Sequence, residues 1–242
     1  MKPSSHHRTA LIVGASRGLG HAIAAELLSR GDSPTREWRI IGTVRDGAKR
    51  TPLHALAEEH PDRIEIETLD ITAPDQIEAL RGRLDGRTID LLFVNAGTTT
   101  QDQHIHIGKV STDEFNQVMV TNALSPMRVI ETLQDLVPAD GLLGAMSSGQ
   151  GSIANNDKGM REVYRGSKAA LNMFMRSFAA RETEPVRAMA VLAPGWIRTD
   201  LGGDEAPYTM EEAVPPMVDV LLDKMSRPGL EYLDRFGKTV PW

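Results

Sequence analysis

The stretch TALIVGASRGLGHAIAAELL, residues 9–28, decides the fold. It opens on a short β-branched run that reads as a buried strand, meets Gly14, and passes into a segment whose Leu19, Ile23 and Leu27 share one helical face. Between them Gly14, Gly18 and Gly20 stand as G-x-x-x-G-x-G. At a strand-to-helix turn, such glycines permit a tight turn, bring backbone N–H groups close to a ligand, and let the helix press on the sheet. The helix N-terminus then attracts an anion.

The same letters, GASRG, also satisfy the G-x-S-x-G nucleophile elbow of serine hydrolases. Chain order opposes that reading. An elbow of that kind follows several strands and precedes an acid and then a histidine, whereas here the last of seven histidines is His106. Ser16 is therefore read as a phosphate-contacting or turn residue.

Outward from this stretch, further strand-like runs recur: WRIIGTV at 38–44, RIEIETL at 63–69, IDLLFV at 89–94, GLLGAM at 141–146 and VRAMAVL at 186–192. Amphipathic segments separate them. Thr51 followed by Pro52 reads as the cap and first position of one helix, and Ile77, Leu80 and Leu84 stripe the next. Six strands spaced by helices predict right-handed βαβ units and a parallel sheet covered on both faces, a doubly wound α/β fold. The segment GDSPTRE at 31–37 predicts a long surface insertion. With 242 residues, 40% of them apolar, the chain is expected to form a single domain over residues 1–242.

A net charge of −6 and the lack of any Lys/Arg cluster argue against a nucleic-acid or anionic-membrane surface. No run approaches the roughly 20 apolar residues of a membrane span. The sequence has no cysteine, which excludes disulfides and thiolate metal sites. His104 and His106 alternate as in an extended loop and lack neighbouring ligands, so no metal site is expected. Together these features lead to the expectation of a soluble, cytoplasmic protein.

The stretch VYRGSKAALNMFMRSFAAR, 163–181, reads as a helix in which Tyr164 and Lys168 head the same face as Leu171, Met175 and Phe178. Alone, such a pair is more often a snorkelling surface feature. Set in order with Gly14-x-x-x-Gly18-x-Gly20, LDI at 69–71, VNAG at 94–97, Asn122, Ser148 and PGWIRT at 194–199, it resembles the short-chain dehydrogenase/reductase superfamily over nearly the whole chain. MSSGQGSI, YRGSKAALNM and the terminal GKTVPW resemble in particular the carbonyl reductase branch that includes sniffer and the C-factor proteins.

The resemblance implies a Rossmann-type, three-layer α/β/α fold and an NADP(H)-dependent oxidoreductase that reduces an aldehyde, ketone or quinone-like carbonyl. Tyr164 is implied as the acid/base. Lys168 is expected to lower the tyrosine's pKa by its charge and to hold the nicotinamide ribose. Ser148 resembles the serine that polarises the carbonyl, chosen over Ser147 because it stands three residues before Gly151. Asn122 resembles the helix-interrupting asparagine that holds a water linking Lys168 to solvent. For the cofactor, the resemblance implies Gly14, Ser16, Arg17, Gly18, Leu19 and Gly20 at the pyrophosphate. It implies Asp70, Ile71, Asn95, Ala96 and Gly97 along the adenosine and ribose, and Pro194, Gly195, Ile197 and Thr199 at the nicotinamide. Thr199 is also readable as an ordinary cap, Asn95 to Gly97 as a strand end, and Trp196 as packing or as substrate contact. At the end of the second strand Arg45 faces the 2′-phosphate of NADP(H), with Arg17 approaching from the other side; Asp46 in that role would instead select NAD(H). The segment 201–210 reads as a substrate lid containing Tyr208.

Two other functions stay open: a low-turnover nucleotide-binding signalling protein of C-factor type, and an NAD-dependent alcohol dehydrogenase. A small-molecule carbonyl or alcohol is the expected partner. The resemblance is compatible with a homodimer or homotetramer, and with a monomer.

Overall fold

The computed structural model describes residues 7–30, 37–182 and 186–242. The insertion expected at 31–37 falls, apart from Glu37, outside them. Seven parallel strands form one sheet: β1 (Arg8–Val13), β2 (Trp38–Val44), β3 (Ile64–Thr68), β4 (Leu91–Val94), β5 (Leu142–Met146), β6 (Ala188–Ala193) and β7 (Gly229–Asp234). Their order is β3-β2-β1-β4-β5-β6-β7, and every pairing is parallel. The six expected strands are present. β7, GLEYLD, is a seventh that the sequence reading missed, because its charged residues and flanking Pro-Gly imitate a loop.

Seven α-helices flank the sheet among the described residues: α1 (Gly18–Ser29), α2 (Pro52–Glu59), α3 (Pro74–Arg83), α4 (Thr112–Met119), α5 (Ser125–Leu133), α6 (Glu162–Ala179) and α7 (Met210–Lys224). Alternation along the strands creates two cores. Leu11 and Val13 of β1 point into a layer with Ile77 and Leu80 of α3, Ile130 of α5, and Leu171 and Met175 of α6. Ala10 and Ile12 point the other way, onto Ile23 and Leu27 of α1, Leu53 of α2, and Met217 and Leu221 of α7. This is the three-layer, doubly wound architecture.

Strand order reverses between β1 and β4, so the connections leaving those two strands diverge to opposite faces and open a crevice at their carboxyl ends. Local signals set the elements around it. Pro52 opens α2 behind Thr51, whose capping box is completed by His54. Between α4 and α5 the helix widens into a π turn over Val120–Leu124, centred on Asn122. Such turns release backbone groups from the regular ladder and recur at functional sites.

Candidate active site

The glycine turn is shaped by two hydrogen bonds and two close approaches. The Gly14 N–H donates to the Thr43 hydroxyl at 2.9 Å, and the Asn95 side-chain amide donates to the Gly14 carbonyl at 3.0 Å. A Cβ on Gly14, whose φ is +85°, would come within 2.8 Å of the Ala96 Cβ; one on Gly20 would lie 2.1 Å from the Gly14 carbonyl oxygen. These two glycines are required by packing. Gly18 differs, since at φ +59° its missing side chain faces open space with nothing within 4 Å. No side chain caps α1 and its first turn holds no acid, so the positive end of the helix is uncompensated. Leu19 and Ser16 are partly buried beside it.

At the carboxyl end of β2 Arg45 is exposed, one residue past the strand. Asp46 closes its own turn by accepting the Ala48 N–H at 3.0 Å. Asp70 accepts both the Thr72 hydroxyl, at 2.7 Å, and the Thr72 N–H, at 2.9 Å. Those bonds, with a smaller contribution from the Arg45 charge, hold its carboxyl below the ordinary range. Ile71 is buried behind it. Arg17 does not converge with Arg45 here: it pairs at 3.0 Å with Asp200, across the crevice. Both partners are more than 70% exposed, so the pair contributes little and is exchangeable.

Tyr164, Lys168 and Ser148 come together where α6 crosses the end of β5. Tyr164 and Lys168 are buried on the same α6 face as Leu171, Met175 and Phe178. The Lys168 ammonium donates to the Met146 carbonyl at 2.9 Å and lies 5.9 Å from the centre of the Tyr164 ring. Ser148 stands beside the Tyr164 phenol, close enough to favour its ionised form. Its Oγ also accepts the Gln150 N–H at 3.1 Å, which leaves its proton free to donate. Ser147 points elsewhere: it is buried, and its hydroxyl donates to Asn172 Oδ1 at 2.6 Å.

Burial pushes the Tyr164 phenol above its ordinary value; the Ser148 hydroxyl and then the Arg161 charge oppose it. The expectation that Lys168 would lower the tyrosine is therefore corrected. Desolvation dominates both groups, and it brings Lys168 itself from 10.5 down to about 8. Arg161 was not foreseen. It sits at the head of α6 at φ 54°, preceded by Met160 at 61° and Gly159 at 62°, three successive left-handed residues. Arg165 holds this strained turn by donating to the Met160 carbonyl at 2.8 Å.

Asn122 is fully buried and fully bonded. Its Oδ1 accepts the Thr98 N–H at 2.8 Å, and its amide donates to the Thr98 carbonyl at 2.8 Å and the Ser167 hydroxyl at 2.9 Å. It thereby fixes the connection after β4 against α6. A Cβ on Gly97 would stand 3.3 Å from Asn122 Oδ1 and 3.5 Å from the Lys168 ammonium, so Asn95, Ala96 and Gly97 border the same space.

The opposite wall is the segment after β6. Ile197 is buried and bridges to Tyr208. Thr199 Oγ1 accepts the Gly202 N–H at 2.9 Å, so it does close a local turn. Trp196, 48% exposed, is tethered through its indole N–H to the Gly202 carbonyl at 2.7 Å. Arg235, from just beyond β7, stacks on Tyr208 at 3.7 Å and donates to the Pro194 carbonyl at 3.4 Å beneath Gly195. No sequence motif signalled Arg235 or Thr43. His104 and His106 are exposed in the loop after β4, and no metal-binding group of side chains occurs among the described residues. A cavity of about 520 Å³ between α7 and β7, lined by Asp219, Asp223, Arg227 and Glu231, does not reach these residues. No helix among the described residues is long and apolar enough to cross a membrane.

Comparison with known proteins gives a consistent result. A family model described as short chain dehydrogenase matches residues 8–208. A short-chain dehydrogenase/reductase from Burkholderia multivorans, solved with bound NADP, is 63% identical with a TM-score of 0.93, covering 98% of this chain and all of that one. A carbonyl reductase from Pseudomonas aeruginosa PAO1 in complex with NADP is 32% identical with a TM-score of 0.88, covering 98% of this chain and all of that one. The C-signal protein of Myxococcus xanthus is 31% identical over 156 residues, 64% of this chain and 93% of its own length.

Proposed function

The chain belongs to the short-chain dehydrogenase/reductase family of oxidoreductases, and from that premise we propose that it is an NADP(H)-dependent reductase of aldehyde, ketone or quinone-like carbonyls. One observation carries the reading: a buried phenol, Tyr164, has the Ser148 hydroxyl beside it and stands 5.9 Å, measured from its ring centre, from the buried ammonium of Lys168, which no acidic side chain pairs among the described residues. A fold that only binds a nucleotide has no use for a desolvated proton donor.

The residues present fit a phosphorylated dinucleotide. Gly18 leaves open space over an uncompensated helix N-terminus, where Ser16, Leu19 and the neighbouring N–H groups would hold the pyrophosphate. Arg45 makes no side-chain hydrogen bond or ion pair among the described residues while Asp46 is occupied by Ala48, which favours a 2′-phosphate over two ribose hydroxyls. Solved relatives that hold NADP support the same choice. Arg17 reaches that phosphate only by exchanging Asp200, a weak and exposed partner. Asp70, Ile71 and Asn95 to Gly97 would line the adenosine, Lys168 the nicotinamide ribose, and Pro194, Gly195, Ile197 and Thr199 the nicotinamide.

Bound NADPH would supply the hydride. Ser148 keeps its proton and donates a hydrogen bond to the substrate carbonyl, where negative charge develops. Tyr164 delivers its proton to that oxygen. Its raised pKa makes it a stable reservoir of that proton, and the Ser148 and Arg161 interactions stabilise the phenolate left behind. Lys168, with Asn122 and the π turn beside it, forms the route by which the proton is restored. Apolar Ile153, Met160 and Trp196, all exposed, offer a surface for an apolar substrate body.

The test is NADPH oxidation followed at 340 nm with a panel of aldehydes, ketones and quinones. Wild-type protein is expected to turn over with NADPH, and Tyr164→Phe to lose turnover while still binding NADPH. Retention of most of the wild-type rate by that variant would remove Tyr164 from the chemistry. Similarity to C-signal favours a second reading, a nucleotide-binding signalling role with little turnover. Tight NADPH binding without oxidation of any carbonyl would select it.

A further inference from the structure

Ser148 is held from behind by side chains that do not face the crevice. The turn it begins, Ser148 to Gly151, closes on itself through the Gly151 N–H and the Ser148 carbonyl at 2.8 Å. Tyr232 of β7, fully buried, donates its hydroxyl to that same Ser148 carbonyl. At the far end of the turn Asn172 of α6 donates to the Gly151 carbonyl at 3.3 Å, and its Oδ1 takes the Ser147 hydroxyl at 2.6 Å. Asn172 and Ser147 lie close to the Tyr232 phenol and oppose the upward push that burial gives it. A Cβ on Gly151 would come within 2.9 Å of the Lys168 Cβ, so the turn is pressed directly onto the helix that carries the acid/base.

From this arrangement we infer that Tyr232, acting with Asn172 and Ser147, is a positioning residue that sets where the Ser148 hydroxyl stands relative to Tyr164. The inference rests on the role proposed for Ser148. Its physical basis is that a donor to a developing oxyanion contributes only when fixed before reaction, and a misplacement of about 1 Å costs on the order of a hundredfold. Three segments distant in sequence, the residue following β5, α6 and β7, fix this donor; the bonds made by Asn172 are buried and that from Tyr232 is partly buried. Tyr232 is itself seated by the ring of Trp242, 5.2 Å away, whose carbonyl accepts the Ala154 N–H at 3.1 Å. The chain beyond β7 thereby holds both the serine and the loop that follows it.

The experiment is a double-mutant cycle in the full chain with NADPH and 9,10-phenanthrenequinone as the carbonyl probe, read as single-turnover rate and NADPH dissociation constant. Tyr232→Phe keeps the ring and its contact with Trp242 and removes only the hydroxyl. It is expected to slow reduction about tenfold, with NADPH affinity unchanged, and to cause no further loss when Ser148 is already alanine. An unchanged rate in Tyr232→Phe overturns the inference. So does an equal loss in the Ser148→Ala background, which would mark a general structural effect. Wild-type speed in Ser148→Ala alone would instead remove the serine's proposed role, and this inference with it. If Tyr232→Phe does not fold, Asn172→Ala gives the same cycle through the other end of the network, with the same outcomes.

Discussion

Lys168 is expected to hold the folded chain back in stability while serving its chemistry, and Lys168→Met exposes the trade. The ammonium is 3% exposed, bonded to one carbonyl, and desolvation alone brings its pKa from 10.5 to about 8. At about 1.4 kcal/mol per tenfold change in proton affinity, this costs the folded state about 3 kcal/mol whenever both states hold the proton. Methionine removes that cost and leaves the Met146 carbonyl without its partner, a loss of about 1 kcal/mol. The net gain is about 2 kcal/mol at neutral pH, or about 4–8 °C in melting temperature for a chain of this size. The sign follows from proton counts. Between the folded and unfolded pKa values the unfolded chain binds more protons, so wild-type stability rises with pH through that interval. The gap between wild type and Lys168→Met is therefore full below about 8, narrows as pH rises, and reverses before 10.5 is reached. Thermal and urea melts of nucleotide-free protein at pH 7, 9 and 10, paired with turnover and NADPH affinity, measure it. The variant should be more stable yet lose both activity and cofactor affinity. A variant that melts at or below the wild-type temperature at pH 7, or a gap that does not narrow with rising pH, would refute the reasoning.

Ser148→Ala should slow the chemical step by roughly a hundredfold, the scale of one lost oxyanion donor, while Ser147→Ala should cost less than Ser148→Ala because its hydroxyl faces Asn172. Single-turnover rates decide, and the reverse order would show that the wrong hydroxyl had been assigned. Arg45→Ala should reduce kcat/KM with NADPH by about tenfold or more and leave NADH nearly unaffected, since a charge-assisted bond to the 2′-phosphate contributes on the order of 1.5–3 kcal/mol. An unchanged ratio of NADPH to NADH efficiency would transfer that role away from Arg45.

What the sequence determined by itself was local. Alternating strand and helix patterns, the glycine spacing, and the Tyr164 and Lys168 stripe on α6 depend on residues a few positions apart, where the periods of strand and helix already fix who shares a face. Family resemblance added which of two adjacent serines to choose. Tertiary structure decided what depends on neighbours far along the chain. β7 carries too little apolar pattern to read as a strand, yet pairing with β6 makes it one and brings Tyr232 under Ser148. Asn122 bonds residues 24 and 45 positions away, and Arg17 finds Asp200 across the crevice. The direction of the Tyr164 shift was equally hidden, because spacing records which charges are near but not how much water has been removed from around them. Desolvation belongs to the packed fold, and at this site it outweighs the charges.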